Sequence, residues 1–173
     1  MTHKLPHDDY IEAVVHALTE AGLEPPEHWT DDGETRGVYC YLNAVITLDP
    51  SGTYELYDED VPSGTSWRHG LILSWEWHTG LEEGGDPEKG AFWEFAALKE
   101  HSVCQYPPVT LPVLGYASPA AVVEAARHVI AHRIKPQPNG TADWDGGIIG
   151  GSWDQADALD TACEAWGKEE GNS

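Results

Sequence analysis

Residue types and spacings that suit chemistry occur at a few points in this chain. Glu124, His128 and His132 are four apart. On a helix, imidazole and carboxylate groups at i and i+4 share a face and can converge on one metal ion. The HExxH pattern with its internal base is absent, and the three fall opposite an apolar stripe. Solvated side chains are therefore the favoured reading, and no cofactor is expected. Glu76 and His78 alternate on one strand face, and Glu94 lies across a hairpin from them. Carboxylates and an imidazole within hydrogen-bond reach can move protons, but a polar patch that satisfies itself is the commoner outcome. Nucleophilic catalysis has less support. There is no GxSxG, Cys40 and Cys163 fall in apolar stripes, and Cys104 has only the nearby His101 to lower its pKa. The glycines of DWDGGIIGGSWD lack the phosphate-loop pattern and are flanked by carboxylates.

Charge sets a wider limit. Nine Lys and Arg against 30 Asp and Glu give −21, and between Asp8 and Asp60 fourteen acidic residues face a single basic one, Arg36. That opposes direct binding to nucleic acid or to anionic membranes and favours a basic partner. The residues expected to meet it are Trp144, Trp153, Asp154, Asp157, Asp160 and Glu164, aromatic anchors beside steering charges. Three cysteines, odd in number and without CxxC spacing, fit a reducing cytoplasm. There is neither an apolar leader at the N-terminus nor a run of the ~20 apolar residues that spans a bilayer.

The elements that must position these groups can be read from periodicity. Leu71, Leu73, Trp75 and Trp77 alternate with Ile72, Ser74, Glu76 and His78, and Trp93, Phe95 and Ala97 alternate in a second arm. The spacing predicts a hairpin over 70–99 whose two faces both carry aromatic rings. A helix is expected from Asp8 to Ala21 with Gly22 as its stop, then a turn-rich loop over 24–37 in which Trp29 packs on a core edge. A strand over Val38–Leu48, a turn at 49–52, a strand over Thr53–Tyr57 and an acidic connection to His69 complete a four-stranded meander. The proline-rich segment after Glu100 reads as an edge of the sheet. Ser118 and Pro119 start a helix expected to reach Arg133, and Ser152 with Gln155 forms a capping box for a last helix with the stripe Ala156, Leu159, Cys163 and Trp166. The expectation is an α+β fold: an antiparallel sheet of four to five strands, two helices on one face, and an appended C-terminal helix. Residues 1–134 form the domain, 135–151 a Gly/Pro-rich linker, and 152–173 an acidic amphipathic helix and tail.

The first helix followed by AGLEPPEHW, the segment LSWEWHTGLEEG, and LPVLGYASPAAVVEAARHVI together resemble an uncharacterised family of short proteins from Streptomyces and related actinobacteria. The resemblance spans about Tyr10 to Ile130. It implies a small α+β domain and transfers no catalytic residue, and the acidic segment 153–170 is an addition to the pattern. The function expected is a non-enzymatic acidic protein-interaction module. Its partner would be a basic protein, including one that otherwise binds nucleic acid, so that the module acts as a regulator, an inhibitor or a DNA mimic. The alternative is a small metal-dependent hydrolase or a small-ligand-binding protein.

Overall fold

The computed structural model describes residues 5–35, 38–79, 90–100, 103–105, 107–137 and 141–169. Among the described residues an α+β fold results, with a six-stranded antiparallel curled sheet, a separate two-stranded ribbon and three α-helices. Four long strands, β1 (Glu27–Thr35), β2 (Val38–Leu48), β3 (Leu71–His78) and β4 (Gly90–Glu100), lie side by side in chain order. Two short ones, β5 (Val103–Cys104) and β6 (Val109–Thr110), both pair with β4, so the proline-rich segment does form the sheet edge. The helices are α1 (Asp8–Glu20), α2 (Pro119–Ile130) and α3 (Ala156–Glu169).

The β3–β4 hairpin supplies the core because its alternation is kept in register. Leu73 stands opposite Phe95 and Trp75 opposite Trp93, while on the other side Ile46 and Ala44 of β2 face the same two positions. Every one of these side chains is buried. Fully burying an aliphatic or aromatic side chain of this size contributes about 1.5–3 kcal/mol before chain entropy is set against it. Helix α1 adds Tyr10, Ile11, Val14 and Leu18, and α2 adds Val122, Ala125, Ala126 and Val129. From α3, Leu159, Cys163 and Trp166 join the same cluster, so the predicted stripe is the face that docks.

Tyr10 ties these layers together. Its hydroxyl donates to the carbonyl of Ala117 at 2.5 Å and accepts from Trp93 Nε1 at 3.1 Å. Its ring meets Trp75 edge-on at 5.8 Å and Trp153 at 5.0 Å. Trp75 Nε1 in turn donates to the Gly115 carbonyl at 2.7 Å. At Gly115 a Cβ would stand 2.4 Å from the Ala91 oxygen, so only glycine lets the two backbones approach.

Several expectations are corrected. The stretch expected as a loop over 24–37 contains β1, whose pairing with β2 runs from Glu27 opposite Thr47 to Thr35 opposite Val38. Its outer position asks for no apolar alternation, and Trp29 is 46% exposed rather than packed on the core. Thr53–Tyr57 is not a strand. Asp49 Oδ1 accepts from the backbone N–H of Thr53 and Tyr54 at 3.0 and 3.2 Å, which curls the chain instead. The meander therefore takes its first strand from before β2, not after it.

Helix α2 begins as expected, with Ser118 Oγ accepting from the Ala121 N–H, but stops at Ile130. His132 N–H bonds to the Val129 carbonyl and Arg133 N–H to His128, the paired bonds of a Schellman end with His132 in the left-handed position. Gly22, at φ +84, ends α1 in the same way. Ser152 instead bridges Ala117, and α3 starts only at Ala156, beyond the reach of a cap at 152. The reason is that the chain before α3 is captured by the segment before α2. Ile149 N–H bonds to Pro112, Ser118 N–H to Gly151, and Trp153 N–H to Tyr116. Residues 135–151 also hold a small ribbon, β7 (Lys135–Pro136) with β8 (Ala142–Asp143). No helix among the described residues is long and apolar enough to cross a membrane.

Tyr10→Phe keeps the ring contacts and leaves the Trp93 N–H and the Ala117 carbonyl without their partner. Denaturant unfolding is expected to show a loss of about 1–3 kcal/mol with an unchanged m-value.

Candidate functional site

Strand alternation sends Glu76, His78 and Glu94 to the sheet face opposite the helices, and the register brings them together. Glu76 stands between Asn43 and Phe92, and Glu94 between Ser74 and Thr110. His78 Nε2 lies 3.0 Å from Glu76 Oε1, and its ring stacks on Phe92 with centroids 5.7 Å apart. The His78 side chain is buried. Burial pushes the Glu94 carboxyl above its ordinary pKa, the neighbouring Glu76 charge pushes the same way, and His78 opposes both. One carboxylate is thus paired with an imidazole while the other is biased toward its protonated form. Such a pair can exchange a proton with a bound group, and equally can share protons within the patch.

The metal candidate does not assemble. Glu124 Oε1 is 3.9 Å from His128 Nε2, a contact of the expected i, i+4 kind. His128 Nδ1 accepts from Arg133 at 3.4 Å, and its ring packs against Trp144 at 5.1 Å. His132 leaves the series because α2 has already ended. Its φ is +60 and its ring stacks on Trp67 at 4.9 Å. Among the described residues no group of three or more His, Cys, Asp or Glu is placed to hold a metal ion. Burial pushes the Cys104 thiol up, opposite to what a reactive thiol needs, and His101 lies outside the described residues. Cys163 is buried, and desolvation followed by the nearby Asp160 and Glu164 charges raises it to about 12. The Cys40 side chain is outside the described residues.

The C-terminal candidates divide into rings that pack and charges that do not. Trp144 is half-buried, with Nε1 donating to the Gly147 carbonyl at 2.8 Å. Trp153 is half-buried against Tyr10. Asp154, Asp157 and Asp160 are exposed, and Glu164 is partly so. Asp160 accepts a hydrogen bond from the Tyr116 hydroxyl at 2.7 Å, a contact that fixes this carboxylate. Asp9 of α1 and Gln155 line the same crevice beside Trp153, so the first turn of α1 adds one carboxylate to this side of the molecule.

Two buried histidines had no signal in the sequence. His7 stacks on Trp75 at 5.3 Å and donates from Nε2 to the Asn43 carbonyl at 2.8 Å. Burial lowers its pKa, outweighing the Asn43 bond and the charges of Asp8, Asp32 and Asp31. His69 Nε2 donates to Asp58 at 2.5 Å. Both place Nδ1 in the interior with no partner among the described residues. No family model matches the chain, and neither curated proteins nor solved structures give a match.

Two pH effects of opposite sign follow. His7 is harder to protonate folded than unfolded, so the stability it lends is present above about pH 6.5 and falls as pH drops below that value. Thermal unfolding is expected to show this decline, and His7→Gln to flatten it. Glu94 is easier to protonate folded, so the stability it lends is present in acid and lost as pH rises through its folded pKa. Glu94→Gln is expected to raise the melting temperature at neutral pH and to leave it nearly unchanged near about pH 4.

Proposed function

We propose that this protein is a non-enzymatic acidic interaction module that binds a basic protein and regulates or inhibits it. The observation that supports this reading most is the way α3 is held. Its apolar stripe is fixed against the core by Leu159, Cys163 and Trp166, so Asp157, Asp160 and Glu164 occupy set positions on the outward side, with Asp154 just ahead of the helix. Steps of three or four residues space carboxylates by ~4.5–6 Å along the axis at ~1.5 Å per residue. A row of fixed charges selects a basic partner better than mobile ones, because less side-chain freedom is lost on binding. Trp153 adds apolar area at the base of this surface, while Trp144 packs on His128 of α2.

The charge of −21 supports long-range attraction of such a partner and disfavours nucleic acid itself. Competition with DNA for a basic protein is the finer form of the proposal, since the carboxylate spacing is close to that of phosphates. The compartment proposed is the cytoplasm, where the free Cys104 and Cys163 would remain reduced.

Two variants with equal charge change separate a defined surface from general acidity. Asp154→Asn/Asp157→Asn/Asp160→Asn removes three charges at α3, and Glu55→Gln/Glu59→Gln/Asp60→Asn removes three exposed ones on the 49–69 connection. With protamine as the basic probe, the α3 variant is expected to bind about tenfold more weakly at low salt and with a shallower salt dependence, while the control loses far less. Equal losses would assign the acidity to solubility.

A further inference from the structure

In a chain so acidic, the placing of its few cations carries information. The 58–69 connection, the end of β4, the segment through β5 and β6 and the residues after α2 enclose a cavity of about 390 Å³. Arg68 and Lys99 line it, beside the imidazoles of His69 and His132. Asp58 is the carboxylate among the lining residues, and its charge is already compensated. It accepts from His69 Nε2 at 2.5 Å and pairs with Arg68 at 3.6 Å. Lys99 is exposed and makes no ion pair among the described residues.

Backbone strain marks the same place. Among the described residues, Trp67 at φ +54 and His132 at φ +60 are the non-glycine residues in the left-handed region. For a residue as bulky as Trp this conformation is costly and persists only where its surroundings enforce it. The two come from segments 65 positions apart, yet their rings are parallel within 1° with centroids 4.9 Å apart. Trp67 Nε1 donates to the Ile130 carbonyl at 3.0 Å, which takes up a helix-end acceptor that would otherwise repel an anion. The floor is apolar, since Ala96, Leu98 and Val109 line the cavity and are buried.

We infer that this cavity is a binding site for a small organic carboxylate with a flat apolar body, held at its charged end by Lys99, with Arg68 shared between the ligand and Asp58, and by the Trp67–His132 ring pair along its face. Its size lies near the lower end of ligand sites, which run from about 300 to 1,000 Å³, and so suits a ligand of one ring. The acidic surface repels anions at long range. Within a screening length of about 8 Å a bound anion meets Lys99 and Arg68, with Asp58 as the lining carboxylate already engaged by His69 and Arg68. This site is independent of the α3 surface, which lies among other residues.

The test uses the full chain and three probes of one shape: benzoate, its neutral isostere benzamide, and the cation benzylamine. Binding is read from the Trp67 indole N–H and His132 ring signals by NMR. Benzoate is expected to shift both signals saturably and to bind at least about tenfold more tightly than benzamide, with benzylamine weakest. Lys99→Glu, at an exposed position, is expected to keep the melting temperature, weaken benzoate at least about tenfold and leave benzamide unchanged; Arg68→Ala should weaken benzoate in the same direction. Absence of a saturable benzoate shift, equal affinity for benzamide, tighter binding of benzylamine, or unchanged benzoate affinity in folded Lys99→Glu would each overturn the inference.

Discussion

The contact on which most of this structure depends is the buried hydroxyl of Tyr10. A phenol in the interior must find both a donor and an acceptor, and here it takes the Trp93 N–H from the sheet and gives its proton to Ala117, just before α2. Burial raises the Tyr10 pKa well above that of a free phenol, so the group stays neutral and able to do both. Because Trp153 rests on the same ring, one side chain links α1, the sheet, the start of α2 and the approach to α3. The close backbone approach at Gly115 is part of the same arrangement, since Trp75 bonds to the Gly115 carbonyl there.

This network explains why the C-terminal region is anchored. The main chain from Ile149 to Trp153 bonds to the segment from Pro112 to Ser118, which Tyr10 and Trp75 also hold. Helix α3 then lies over β2 with Trp166 edge-on to Trp77 at 6.3 Å. At Gly167 a side chain would meet Thr79, so the last turn sits close to the strand end. The carboxylates of α3 are consequently part of a rigid surface, and its rings are mostly spent on packing.

The polar edge of the sheet obeys a different constraint. As the outermost strand, β1 offers unpaired backbone groups that invite another chain. Asp31 and Asp32 are exposed there, and the strand is interrupted by a register shift between Gly33 and Glu34. Gly33 lies under the Tyr41 ring, where any side chain would collide. Charge and bulge together protect this edge, so part of the chain's acidity has a structural use apart from any partner.

The linear order alone dictates the elements whose burial is periodic. The β3–β4 hairpin, β2, the core stripes of α1 and α3, and the Ser118 start of α2 all follow from which faces must leave water, a requirement written every second or every third to fourth residue. It also determined the charge and brought Glu76, His78 and Glu94 to one face, because alternation is local. Whatever depends on distant partners was settled only on folding. The solvent side of β1 carries no apolar pattern, so only its hydrogen bonds to β2 make it a strand. His132 leaves the Glu124–His128 series because the end of α2 is set by a backbone turn and a ring stacked on Trp67. His7, the Asp58–His69 pair and the cation-lined cavity are invisible in the linear order, because burial and local charge are sums over segments that only folding brings together.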